Sequence, residues 1–240
     1  MSEIDITIFV PCLDEEKYIE NTIKTIVAAV NEVRLSYEIL IFDDYSSDNT
    51  VSVIKNYQRQ HSDIPIKLIR NNTTKGLGHN YIEGAYIGKG EYYILVCGDN
   101  PHTKEYFVTL MENIGTADII IPYYDKLKRK ELIRKILSDT FIKIVNFLSG
   151  YSIQYYNGEV IHLRYNVMRW HPDTKGYAYQ AEIICRLLDE GKTYKELLFR
   201  AIESGHSSSF TLRKILSVAH SLLQIILRRI RKFSYKIFRG

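Results

Sequence analysis

The stretch YEILIFDDYSSDNTVSVIKNY (residues 37–57) joins an apolar, β-branched run to a helical stretch through a short acidic loop. The same alternation recurs along the first half of the chain. The predicted strands are Ile4–Val10, Tyr37–Phe42, Ile66–Arg70, Tyr92–Val96 and Asp118–Pro122. The predicted helices between them are Glu16–Val33, Asn49–His61, His79–Gly88 and Lys104–Ile114. Short buried strands separated by helices predict a doubly wound α/β fold with a mostly parallel sheet.

Composition narrows the class of protein and its compartment. The 240 residues are enough for one well-buried domain with an appendage. The amino terminus lacks the basic start of a secretory signal. No uncharged apolar stretch approaches the roughly 20 residues of a membrane-spanning helix. The three scattered cysteines form no CxxC pair, which favours a reducing compartment. We therefore expect a cytoplasmic protein.

The second half of the chain has a different pattern. A basic helix is predicted over Lys126–Leu148, YSIQYYNGEVIHLR (residues 151–164) predicts a turn into a strand, and Tyr179–Asp189 predicts another helix.

The tail after Glu203 contains no acidic residue. Its apolar residues recur every three or four positions, at Ile215, Ala219, Leu222, Ile226, Ile230, Phe233 and Ile237. This spacing predicts a basic amphipathic helix over residues 211–240, which favours peripheral attachment to an anionic membrane surface at the inner face of the cell membrane. The alternative is a helix that packs on its own core with a solvated charged face.

Acidic residues follow three of the predicted strands. Asp14 and Glu15 follow the first, Asp43 and Asp44 the second, and Asp99 the fourth. The carboxyl ends of parallel strands meet at one edge of a sheet, where α/β proteins bind ligands. Carboxylates gathered there repel one another unless a divalent cation, a nucleobase N–H or a ribose hydroxyl joins them. The pattern therefore predicts a binding site, although Asp14 and Asp48 could instead cap helices.

Several of these segments together resemble a known family. IFVPCLDEEKYIENTIKTI (residues 8–26), residues 37–57 and NNTTKGLGHNYIEGAYIGKGEYYILVCGDN (residues 71–100) resemble the nucleotide-sugar-binding half of family 2 glycosyltransferases. The subgroup most similar is that of the polyprenyl-phosphate, dolichol-phosphate mannosyltransferase-like enzymes. The resemblance implies a GT-A fold over residues 1–210, with a donor half (1–122) and an acceptor half (123–210), and sugar transfer with inversion.

The resemblance also implies roles for individual residues. Contacts with a UDP- or GDP-linked sugar are implied for Pro11, Asp14, Glu15, Asp43, Asp44, Gly76, Gly78 and Asp99. Where the family has Asp-x-Asp on a metal ion, this chain reads Gly98-Asp99-Asn100. Asp99 and Asn100 are therefore the implied ligands of Mg²⁺ or Mn²⁺, with one carboxylate fewer than usual.

On the acceptor side, Glu182 is the implied base, and a solvated helix residue is the alternative. A polyprenyl phosphate is the first expected acceptor and a growing surface glycan the second. The cationic candidates for the lipid phosphate are Arg134, Arg200 and His206. A nucleotidyltransferase is disfavoured because the first loop is acidic. A module that only binds membrane or nucleic acid is disfavoured because the acidic edge repels phosphate backbones, so we expect no nucleic-acid partner. The sequence does not indicate an oligomeric state.

Overall fold

The computed structural model describes residues 3–100, 102–125, 132–169, 179–200, 222–223, 226–227 and 229–231. Seven strands in these ranges form one sheet. They are β1 (Ile6–Cys12), β2 (Tyr37–Asp43), β3 (Ile66–Arg70), β4 (Tyr92–Leu95), β5 (Ile119–Tyr124), β6 (Ile161–Leu163) and β7 (Tyr194–Phe199). The described helices are α1 (Ile19–Val33), α2 (Thr50–Gln60), α3 (Leu77–Ile87), α4 (Lys104–Met111), α5 (Leu132–Ser149), α6 (Arg164–Arg169) and α7 (Tyr179–Asp189).

The strand order is β3-β2-β1-β4-β6-β5-β7, and every neighbouring pair is parallel except the two that involve β6. The predicted mostly parallel α/β sheet is therefore confirmed. β1 and β2 pair in register up to Cys12 and Asp43, so the loops that follow them start side by side. Because β6 is antiparallel to β4, residues that precede β6 lie at the edge where β4 ends.

Side chains of the sheet alternate between two buried layers. One layer contains Phe9, Phe42 and Tyr93, and it is covered by α3 and α7. The other contains Ile8 and Val10, and it is covered by α1, α2 and α4. Each fully buried side chain of this size stabilises the fold by about 1.5–3 kcal/mol. Since both faces are covered, the strands read as continuous apolar runs, which is why the first half of the chain was predictable.

Two elements were not predicted. α6 is a six-residue helix that directly follows β6. β7 is an edge strand of the described sheet, and its residues are exposed or half-buried. Its sequence YKELLF therefore carries charges and lacks the apolar run that marks a central strand.

Only part of the predicted tail helix lies among the described residues. Leu222 packs against the core layer that contains Phe9, and Arg229 forms a 2.8 Å ion pair with Asp189. Leu223, Leu227 and Ile230 are exposed by 40% or more. In the part of the chain that the structure describes, no helix is both long enough and apolar enough to cross a membrane. The boundaries predicted near residues 122 and 210 stay predictions.

Candidate functional site

The loops after β1 and β2 are locked together by Asp14. Its Oδ1 accepts hydrogen bonds from the backbone N–H of Ser47 (2.7 Å) and of Asp48 (3.3 Å). Its own N–H donates to Ser46 Oγ at 3.0 Å. Asp14 also has a φ of 59°, a left-handed conformation that aspartate tolerates better than most residues. The carboxylate thus holds the second loop in place, and its predicted contact with a nucleotide stays a prediction.

Asp48 makes the reciprocal connection. Its Oδ2 accepts from Glu16 N at 3.1 Å and its Oδ1 from Thr50 N at 2.9 Å. The Glu15 N–H donates to Thr50 Oγ1 at 2.8 Å. Burial raises the pKa of Asp48, but these donors outweigh it and the net pKa lies below its ordinary value. Asp14 caps none of the described helices, and the N-cap residues of α1 and α2 are Tyr18 and Asn49. Asp48 accepts from the first N–H of α2, and its other oxygen ties the two loops together.

Asp44 fixes the loop that leads into α3. It is 7% exposed, and its Oδ1 accepts from Asn71 Nδ2 (2.8 Å) and Lys75 N (2.9 Å). Its Oδ2 accepts from Gly76 N at 2.9 Å, and Gly76 has a φ of 90° that favours glycine. Burial alone would raise the pKa of Asp44, but the hydrogen bonds outweigh burial, and the net pKa lies below its ordinary value. The group therefore stays charged. Gly78 is buried in the first turn of α3.

Asp43 is fully buried at the end of β2. Its Oδ1 accepts from Ser46 N at 3.2 Å, and its Oδ2 lies 3.2 Å from Arg70 Nε. That second contact is an ion pair without the alignment of a hydrogen bond. Arg70 is half exposed and also donates to Ser46 O. Asp43 therefore retains accepting capacity that Asp44 does not.

The loop after β4 is packed tightly onto the loop after β1. Gly98 N donates to Pro11 O at 3.0 Å, and Thr22 Oγ1 donates to Gly98 O at 2.8 Å. A Cβ at position 98 would lie 3.0 Å from Cys12 Cβ and 3.2 Å from Glu15 Cγ. A side chain here would require these neighbours to shift by a few tenths of an ångström, so glycine suits the close approach of the two loops.

Glu15 and Asp99 form the open part of the site. Among the described residues, none donates a hydrogen bond to either side-chain carboxylate or forms an ion pair with it. Both residues are half-buried. Burial, then the negative charge of Asp99, followed by Asp48 and Asp14, raises the pKa of Glu15 to about 7. Within the ranges that the structure describes, the two carboxylates therefore have no positively charged partner.

The side chain of Asn100 bonds to the turn that follows Asp99, and its implied contact with a metal ion stays a prediction. Its Oδ1 accepts from His102 N at 2.9 Å and its Nδ2 donates to His102 O at 3.0 Å. These two bonds hold the turn after Asp99, and they favour a structural role for the side chain. Within the described ranges, no three His, Cys, Asp or Glu side chains are grouped as metal ligands.

The acceptor-side candidates lie in different places. Glu182 is 2% exposed and pairs with Arg186 at 2.9 Å, so the solvated-helix alternative is wrong. Arg200 is exposed directly after β7, at the edge of the sheet where β4 and β5 also end. The side chain of Arg134 and all of His206 lie outside the described residues.

A buried polar cluster beside Asn100 was missed at the sequence level. Glu159 Oε2 accepts from the hydroxyls of Tyr106 (2.7 Å) and Tyr124 (2.9 Å), and Oε1 lies 3.3 Å from His102 Nε2. The four residues come from three separate stretches of chain. The only local signal is an acid directly before the apolar run of β6, so spacing alone could not reveal the cluster.

The chain matches the family model described as "Glycosyl transferase family 2" over residues 7–169. It belongs to glycosyl transferase family 2. One relative is the dolichyl N-acetyl-alpha-D-glucosaminyl phosphate 3-beta-D-2,3-diacetamido-2,3-dideoxy-beta-D-glucuronosyltransferase of Methanococcus voltae. It is 32% identical over 126 residues, which are 52% of this chain and 36% of the relative. The dolichyl-phosphate beta-glucosyltransferase of Dictyostelium discoideum is 25% identical over 104 residues, 41% of this chain and 32% of the relative.

The fold of this family 2 chain also matches a solved structure, glucosyl-3-phosphoglycerate synthase from Mycobacterium tuberculosis in complex with Mg²⁺ and uridine diphosphate. The TM-score is 0.69 at 13% identity, over 95% of this chain and 79% of that one. At this identity the likeness shows the fold alone. The alignments with the two curated relatives span about a third of those relatives' lengths.

Proposed function

We propose that this chain transfers a sugar from a nucleotide-sugar donor, with inversion at the anomeric carbon, to a polyprenyl phosphate at the cytoplasmic face of the membrane. The observation that carries the proposal is the pair of open carboxylates, Glu15 and Asp99, at the edge of a sheet whose other loop acids are already hydrogen-bonded. Family membership supports it, as do the dolichyl phosphate in one relative's name and the dolichyl-linked sugar phosphate in the other's.

The donor nucleoside is proposed to bind at the ends of β1 and β2. Asp43 lies there, and its Oδ2 accepts no hydrogen bond from the described residues. Arg70 beside it is half exposed. Asp14 and Asp44 contribute by holding the surrounding loops, because their oxygens accept backbone N–H groups. Loops fixed before the ligand arrives lose less conformational entropy on binding. A transfer assay with UDP- and GDP-linked sugars distinguishes uridine from guanosine as the donor base.

The diphosphate end is proposed to bind beside Glu15 and Asp99. Carboxylate oxygens are the ligands that Mg²⁺ and Mn²⁺ prefer, and Glu15 lies close enough to Asp99 for that negative charge to add to burial in raising the pKa of Glu15. The residues therefore fit a divalent ion, with Glu15 taking the place that Asn100 cannot fill with a charge. When bound, such an ion would stabilise the negative charge that develops on the leaving diphosphate.

In the proposed reaction, an oxygen of the acceptor phosphate attacks the anomeric carbon. The bond from that carbon to the diphosphate breaks, and its electron pair leaves with the diphosphate. A phosphate acceptor is already anionic, so little base catalysis is required. Glu182, buried and paired with Arg186, is then proposed to orient the acceptor side, and Arg200 to attract the acceptor phosphate.

Membrane attachment is proposed to use the outer face of the tail helix. Leu223, Leu227 and Ile230 recur at spacings of four and three and are all exposed. On the inner face, Leu222 packs on the core and Arg229 pairs with Asp189. The outer residues are flanked by the exposed Arg231, which suits an anionic lipid surface. Replacing all three apolar residues by serine should abolish sedimentation with anionic vesicles while the protein stays folded. Unchanged sedimentation would refute this attachment.

The function is tested by a transfer assay. Purified protein is incubated with UDP- and GDP-linked sugars, Mn²⁺ and a short-chain polyprenyl phosphate, and the product is identified by mass spectrometry with its anomeric configuration by NMR. We expect a glycosyl phospholipid of inverted configuration. Transfer only to a glycan hydroxyl would favour the surface-glycan alternative, and retention of configuration would contradict the proposed mechanism.

A further inference from the structure

The cluster around Glu159 is distinct from the open carboxylates of the site. The His102 ring stacks on Tyr106, with ring centroids 4.0 Å apart and an interplanar angle of 13°. It is also nearly parallel to the Tyr124 ring, with centroids 5.6 Å apart and an interplanar angle of 6°. The side chains of His102 and Glu159 are only 9% and 12% exposed. A buried charged group with three polar partners is costly to assemble and rigid once assembled.

Each member of the cluster contacts more than one other. The Tyr106 and Tyr124 hydroxyls lie 2.9 Å apart and both donate to Glu159, while Tyr124 Oη is also 3.2 Å from His102 Nε2. Burial first, and then the Glu159 charge, raise the pKa of both phenols, so both remain donors at neutral pH. Glu159 is therefore the acceptor that fixes the position of the three rings.

The cluster is joined to Asp99 through the backbone. The Asn100 carboxamide makes two hydrogen bonds with the main chain of His102, at 2.9 and 3.0 Å. The turn that carries Asp99 is thus hydrogen-bonded to the main chain of His102. The His102 ring in turn contacts the Glu159 carboxylate. Asp99 itself has no hydrogen-bond donor among the described residues, so its placement depends on this turn.

We infer that Glu159 is a positioning residue that holds the turn of Asp99 in the geometry required to bind the metal and diphosphate of the donor. Glu159 precedes β6, in the predicted acceptor half, whereas Asp99 follows β4 in the donor half. Glu159 touches neither reactant in this assignment and acts through His102. The inference rests on the proposed function.

A matched control is available at the other end of the sheet. Glu38 lies near the start of β2 and accepts from Thr7 Oγ1 at 2.6 Å and from the N–H of Lys89. It is half-buried and bonded to groups from two other segments, but it is at the amino edge, far from Asp99. Glu38→Gln therefore measures what the loss of a structural carboxylate does to the fold alone.

The experiment measures the dissociation constants of UDP and GDP by calorimetry, in Mn²⁺ and in EDTA, for the wild type, Glu159→Gln, Tyr124→Phe and Glu38→Gln. Glutamine keeps the shape of Glu159 but loses the charge. We expect Glu159→Gln to weaken the Mn²⁺-dependent part of nucleotide binding at least tenfold, with binding in EDTA unchanged. Tyr124→Phe should weaken it about threefold, and Glu38→Gln not at all.

The results distinguish a positioning role of Glu159 from a purely structural one. If Glu159→Gln lowers the melting temperature but leaves Mn²⁺-dependent binding intact, the cluster is merely structural and the inference is wrong. Should Glu159→Gln not fold, the milder Tyr124→Phe decides the matter by the same criterion. If the wild type binds neither nucleotide, the proposed function fails and the inference fails with it.

Discussion

The donor edge and the acceptor side of this molecule use charge in different ways. At the donor edge, the loops after β1, β2 and β4 carry many acids, yet most of their oxygens accept hydrogen bonds from the protein itself. On the acceptor side, the charged residues proposed to act on the acceptor are the buried ion pair Glu182–Arg186 and the exposed Arg200. An acid in a loop is therefore informative about ligand binding only after its existing partners are known.

The largest expected effect on stability concerns Asp44, whose two carboxylate oxygens both accept hydrogen bonds. Asp44→Ala leaves Lys75 N and Gly76 N without their acceptor and removes one of the two acceptors of Asn71 Nδ2, so we expect a loss of about 3 kcal/mol in the free energy of unfolding. The exposed Asp14→Ala should lose only about 1 kcal/mol. Urea denaturation measures both. Equal losses would show that the burial of Asp44 does not matter.

On the acceptor side, the prediction is a difference between acceptors. Because a phosphate needs no deprotonation, Glu182→Gln should reduce transfer to a polyprenyl phosphate by less than about tenfold. With a hydroxyl acceptor, loss of a general base would reduce the rate by about 10²-fold or more. Initial rates on the two acceptor types decide this, with circular dichroism as the control for folding. A large loss with the lipid phosphate would show that Glu182 does more than orient.

The same contrast explains what the sequence could predict. The strands up to β5 and the acidic edge followed from apolar runs and the loops after them, and the structure confirms the sheet. Which carboxylates stay open did not follow, because it depends on hydrogen bonds between loops distant in sequence, such as Asp14 with Ser47. The Glu159 cluster could not be predicted from the sequence for the same reason. β7 was not predicted because an edge strand does not need an apolar run.

A smaller effect is expected in the pH dependence of stability. The pKa of Glu15 is raised from its ordinary value of 4.5 to about 7, so the folded state binds this proton more tightly than the unfolded state. Stability from this group is therefore full below pH 4.5 and is lost as the pH rises towards 7. The loss should be on the order of 1 kcal/mol, since solvent screens a half-buried group. Thermal unfolding between pH 5 and pH 8 should show it, and Glu15→Gln should flatten the profile. An unchanged slope in the variant would contradict this origin.

The smallest effects concern two residues with positive φ. Arg34, after α1, has a φ of 61°, and Tyr45, in the loop after β2, has a φ of 76°. Glycine adopts these angles without strain, so Arg34→Gly and Tyr45→Gly should each stabilise the fold by about 0.5–1 kcal/mol. Chemical denaturation resolves such changes. Only Tyr45 lies at the donor edge, so only its variant should also alter nucleotide affinity, and an equal change in Arg34→Gly would count against that distinction.

The central claim is that Glu15 and Asp99, whose carboxylates have no donor or ion-pair partner among the described residues, bind the metal and diphosphate of the donor. It is tested most directly by calorimetric titration of the nucleotide into the wild type and into Asp99→Asn, with and without Mn²⁺. We expect Mn²⁺ to tighten binding to the wild type at least tenfold and to have no effect on Asp99→Asn. An equal enhancement by Mn²⁺ in both proteins would contradict the claim.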